Sequence, residues 1–163
     1  MAGYDSDDWR KQRDEILLGW LDGDRSALDF ILVLSNFVEF IDDVVDQDKE
    51  LGIGRATVVM ADVLCHLPFN SFFQAHNREF RGMIMSAIVA WTASEELKRS
   101  TDETNQALAF ALRDQIISIT HTAVAIKRGF DFAQSISKHI YALTRNDTFS
   151  EYKKECQLAD QNQ

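Results

Sequence analysis

Apolar residues recur at helical spacing along most of the chain, separated by short polar breaks. Ile16, Leu17 and Trp20 mark a first helix over residues 5–22, with Ser6 as its cap and Asp7 and Asp8 in its first turn. The turn DGDR at 22–25 follows. A second helix is expected over 26–46. Of its residues 27–45, 13 of 19 are apolar, too many for one stripe, which places it at the centre of a bundle. After the break LGIG at 51–54, a third helix over 55–66 stops at LPFN. Pro68 disfavours helix at Leu67, and Asn70 or Ser71 can cap what comes next. Residues 71–99 form one long helix or two shorter ones, with Gly82 as the kink. STDET at 100–104 introduces a helix over 103–127, which KRG ends with cations and a glycine. A last helix covers 131–144, and the polar tail 147–163 loses periodicity and is expected to fray. The pattern therefore predicts one all-α domain over 1–146, a compact bundle of about six helices around helix 26–46.

Composition agrees with long helices, since there is one proline and there are 7 glycines. Cys65 and Cys156 lie far apart and form no ligand-spaced pair, so a reduced, cytoplasmic setting is expected. The opening MAGYDSDDWR has no apolar stretch of the kind a signal peptide carries. The charge-free run FILVLSNFV at 30–38 falls well short of the roughly 18 residues a membrane span needs. Asp and Glu number 26 against 17 Lys and Arg, for a net charge of −9. That balance argues against direct nucleic-acid binding, which needs clustered cations, and allows a cation-binding role or mimicry of a polyanion.

The chemistry concentrates in FIDDVVDQDKE, residues 40–50. At about 100° per residue, Glu39, Asp42, Asp43 and Asp46 share roughly 100° of arc on an otherwise greasy helix. Anions at a helix C-terminus are opposed by the macrodipole, and like charges three or four apart repel. No lysine or arginine lies between Ser26 and Gln47. A divalent cation would reverse these penalties, because Mg²⁺ and Mn²⁺ accept hard oxygen donors at such spacing. Two other readings stand beside it: the wet edge of a bundle helix, or an anionic patch for a protein partner.

Further polar candidates lie downstream. His76 and Glu79 share one face of a helix, and Arg78 and Arg81 another. Glu95 ends the apolar stripe of Phe80, Ile84, Ala87 and Trp91. Asp114 and His121, seven apart, line one face with Phe110 and Ile117 and suggest a polar pair able to move a proton. Arg113 can pair with the aspartate cluster or hold a phosphate through two hydrogen bonds. His76 and His121 also serve equally well as satisfied structural histidines. The phenylalanines at 69, 72, 73 and 80 read as core.

Three resemblances attach to these motifs. DDVVD at 42–46 resembles the Asp-rich Mg²⁺ motif of class I isoprenoid synthases, which implies a metal-held diphosphate. FVEFIDDVVD followed by MADVLCHL is similar to the helix pair of MazG-like all-α nucleotide pyrophosphohydrolases. That likeness implies Mg²⁺ ligands at Glu39, Asp42 or Asp43, and Asp62, with Val59 standing where the family has a glutamate. IDDVVDQDK, LPFNSFFQAHN, IVAWTASEELKR and ALRDQIISITHTAVAIKRGFDFA together resemble short helical proteins of tailed bacteriophages, which implies a helical fold and a host cytoplasm.

The leading expectation is a Mg²⁺- or Mn²⁺-dependent hydrolase of a phosphate- or diphosphate-bearing small molecule such as a nucleotide. Glu39, Asp42, Asp43, Asp46 and Asp62 would hold the metal and lower the pKa of an attacking water. Arg78, Arg81 and Arg113 would bind phosphate, and His76, His121 and Asp114 would transfer protons. The alternative is a non-enzymatic accessory protein whose acidic surface binds and blocks a host protein. A homo-oligomer is compatible with either.

Overall fold

The computed structural model describes residues 7–46, 52–144 and 148–161. Among them every regular element is helical. The main helices are α1 (Asp7–Trp20), α2 (Arg25–Asp46), α3 (Ile53–Ala61), α4 (Ser71–Leu97), α5 (Glu103–Leu112), α6 (Ile116–Arg128), α7 (Phe130–Thr144) and α8 (Phe149–Gln161). A π-helical turn (Asp62–His66) and a 3-10 turn (Leu67–Phe69) join α3 to α4. The all-α expectation holds, and all six expected helices are present. One of them is broken in two and the tail adds another. The Ser6 cap lies outside the described residues.

Local chemistry explains the boundaries. At DGDR, Asp22 (φ 57°) and Gly23 (φ 74°) take left-handed conformations, and the Asp24 carboxylate accepts from the Ala27 amide at 3.1 Å to start α2. The Asn70 side chain accepts from the Phe73 amide at 2.8 Å to start α4. The same residue is tied to the start of α2: its Nδ2 donates to the Ser26 carbonyl at 2.8 Å, and the Ser26 hydroxyl accepts from the Phe72 amide at 3.0 Å. α6 stops at Gly129, whose φ of 85° no side-chain-bearing residue adopts comfortably.

Three segments depart from expectation. The helix over 103–127 breaks at Arg113–Gln115, where Leu112 closes α5 and the Asp114 carbonyl accepts from Ile117. α4 is kinked at His76 (φ −125°, ψ 21°), while Gly82 stays in register. At the kink the His76 ring packs on Phe72 (4.9 Å) and Asn77 donates to the Gln74 carbonyl at 2.7 Å. The tail is not frayed over 149–161. Thr148 and Glu151 form a reciprocal capping box there: the Thr148 amide donates to the Glu151 carboxylate at 2.8 Å, and the Glu151 amide to the Thr148 hydroxyl at 3.3 Å.

The main core gathers Leu17 from α1 and Leu21 just after it, Phe30, Ile31 and Leu34 from α2, Phe72 and Phe80 from α4, and apolar residues of α6 and α7. Phe30 sits at its middle with ring centroids 4.6 Å from Phe80, 5.6 Å from Phe73 and 5.8 Å from Phe72. Phe69, expected in the core, is 78% exposed, because the 3-10 turn after Pro68 directs it outward. A second, smaller cluster joins Ala109 and Phe110 of α5 to Tyr152 and Cys156 of α8. Burial is the main cause that raises the Tyr152 pKa above its ordinary value, with the neighbouring Cys156 adding to it. α2 is central only over its first half: Ala27, Leu28, Phe30, Ile31 and Leu34 are buried, whereas Val38, Val44 and Val45 are about 40% exposed. No single helix among the described residues is long and apolar enough to cross a membrane.

Candidate functional site

The acidic end of α2 meets a cation from the protein itself. Arg55, in the first turn of α3, places its guanidinium between Asp43, hydrogen-bonded at Nη1, and Glu39, whose Oε1 is 3.5 Å from Nη2. The same guanidinium lies 5.8 Å from the centre of the Phe40 ring. Asp43 is buried and Glu39 exposed. A buried carboxylate is tolerated when paired and hydrogen-bonded, and Arg55 answers the charge of Asp43 in this way. Asp42 is exposed, and the side chain of Asp46 lies outside what is described. Among the described residues no three His, Cys, Asp or Glu side chains converge as a metal-binding group.

Asp62 belongs to a second location. It opens the π-helical turn, where its Oδ1 lies 2.8 Å from Nδ1 of His66. Both line a cleft of about 740 Å³ between the first half of α2 and the π and 3-10 turns. Asp29 and Asn36 of α2 face the same cleft, whose apolar lining includes Leu32, Val33 and Leu67. π-helical turns are rare and recur at functional sites. This cleft was not read from the sequence, though the His66–Asp62 spacing of four was visible there.

The remaining candidates do not assemble around either place. Arg78 and Arg81 are exposed on α4, and His76 sits at the kink against Phe72. Asp114 and His121 do not pair, because the break at 113–115 puts them in different elements. Asp114 instead lies 3.8 Å from Nε of Arg113. Arg113 stacks over Tyr152 (4.7 Å) and Phe110 (5.4 Å), where α5 meets α8. His121 bridges α6 and α7. Its Nδ1 is 2.8 Å from the Ile117 carbonyl and its Nε2 2.9 Å from the Ser137 hydroxyl. The carbonyl can only accept, so Nδ1 carries a proton. Glu95 ends its stripe as an ion pair with Lys98 at 2.8 Å.

No family model, curated protein or solved structure matches the chain.

Proposed function

We propose that the protein works by binding another protein through apolar helical faces that its own core leaves uncovered. One observation carries this reading: large apolar residues stand exposed at regular helical spacing on three elements. On α3 and the π turn they are Ile53, Met60 and Leu64; on α4, Met85, Ile88 and Val89; on α2, Val38 and Val45. Ile53 is 87% exposed and Val89 66%. Scattered apolar residues are ordinary on a surface, but stripes of this kind mark interaction sites. Residues 82–94 of α4 carry no charged side chain, so that face offers an apolar partner nothing to desolvate.

The metal-dependent phosphohydrolase is the second reading. Its support is the Asp62–His66 pair in a concave cleft. Against it, no Lys or Arg is among the described residues lining that cleft, so phosphate charge would meet carboxylates there.

The test is co-purification from an extract of the source cells with the immobilised chain, run beside Met85→Asp/Val89→Asp. The expected result is one stoichiometric partner held by the unmodified chain and lost in the double variant at unchanged helicity. Equal recovery by both, no recovery, or adsorption of the unmodified chain to phosphatidylcholine vesicles in place of a protein would overturn the reading.

A further inference from the structure

The uncovered face of α4 carries a pattern that selects its occupant. Beyond the kink at His76 the helix backbone is regular to Leu97. Arg78, Gly82, Met85, Val89, Thr92 and Glu96 follow one another at alternating steps of four and three residues. At about 100° per residue they fall within about 80° of arc, one straight stripe. All six are exposed, Met85 at 65% and Val89 at 66%. Alternating steps of four and three are the spacing of a seam between two packed helices, where each side chain enters a gap on the facing helix. The middle of the stripe is apolar or small. The Thr92 hydroxyl donates to the Ile88 carbonyl at 2.9 Å, so its own helix already satisfies its polar group. Glycine weakens a helix interior, and packing within the chain does not call for Gly82: a side chain there would meet no atom within 4 Å. The ends of the stripe are charged with opposite signs, and neither Arg78 nor Glu96 forms an ion pair among the described residues.

This polarity makes the stripe complementary to itself. Parallel copies would set Arg78 on Arg78 and Glu96 on Glu96, like charge on like. Antiparallel copies with a two-fold axis at Ala87 set Arg78 on Glu96, Met85 on Val89 and Gly82 on Thr92, each twice. The members of each pair stand equally far from Ala87, so one register satisfies charge, apolar surface and bulk together. We propose that α4 pairs antiparallel with the α4 of a second copy of this chain about an axis at Ala87. The inference rests on the reading of uncovered apolar faces as contact surfaces and names the occupant of this one; the stripes of α2 and α3 are left to the unlike protein. The seam is about 27 Å long, which is short. Two chains of net charge −9 also repel, so the dimer exchanges with monomer at micromolar concentration.

Sedimentation of the full chain at about 100 μM tests the pairing, since a micromolar dimer is well populated there. The unmodified chain is expected to sediment as a dimer. Arg78→Glu and Glu96→Arg should each weaken it at least about tenfold, because each sets like charges together twice. The two single variants mixed in equal amounts should recover a dimer, since every arginine then faces a glutamate again. Arg78→Glu/Glu96→Arg in one chain should recover it as well. Both positions are exposed, so the variants keep the fold, with unchanged helicity as the check. Indifference to both single reversals, or failure of their mixture to pair, would overturn the proposal. So would a monomeric unmodified chain, whether it then holds only an unlike protein or phosphatidylcholine vesicles. A monomer that still captures an unlike protein loses the pairing and keeps the reading of the other faces, and a dimer that captures none does the reverse.

Discussion

The two halves of α2 differ in content and meet different ends: residues 27–34 are apolar at seven of eight positions, residues 38–45 at five of eight. Over residues 27–34 the helix is walled in by α1, α4 and α6, and its Phe30 has no exposed surface. Over 38–45 the described neighbours thin to α3, and three valines stay near 40% exposure while one aspartate goes under. Burial here follows the supply of neighbouring elements more than the apolar content of the helix. Where the neighbours thin, Arg55 ties α2 to α3, and the valines stay partly exposed.

This contrast can be broken by substitution. Phe30→Ala removes the ring on which three others pack, and should cost about 3–5 kcal/mol in chemical unfolding. A loss below about 1 kcal/mol would mean that the first half is not the keystone of the core. Arg55→Met and Asp43→Asn should each cost about 1–3 kcal/mol, since each removes a charge-assisted hydrogen bond at a largely covered carboxylate. Their double variant should cost clearly less than the sum, and strict additivity in a double-mutant cycle would show that the two are not coupled. Val38→Ser and Val45→Ser should each stay within about 0.5 kcal/mol. A Val45→Ser loss comparable to that of Phe30→Ala would place the second half in a core as well, and the halves would no longer differ.

Much of the architecture was legible because it is local. The helical spacing, the DGDR turn, the Asn70 cap and the Gly129 stop each depend on residues within a few positions of one another. The capping box at Thr148 and Glu151 was equally local, with Phe149, Tyr152 and Cys156 behind it at helical spacing. It went unread because the segment is polar overall. The break at 113–115 carries no glycine or proline, so nothing in ALRDQII distinguishes it from continuous helix. The candidate site was less legible for a physical reason. A crowded run of anions leaves open which cation answers it, and Arg55 lies 12 residues from Asp43, beyond the end of α2. Whether two helices bring such groups together is a property of packing. For the same reason Asp114 and His121, aligned on paper, are held apart in space.

Asp24 performs two tasks with one carboxylate. One oxygen starts α2, and the other holds Lys127 of α6 at 2.8 Å. The hydrogen bond from Lys127 is the main cause that depresses its pKa below the ordinary 3.8, so the anion is favoured in the folded chain. By linkage its contribution to stability is complete above that ordinary value and fades as acidity passes the lower folded one. A single protonation event there loosens the start of the central helix and its long-range tether together, which couples two distant parts of the chain to one proton.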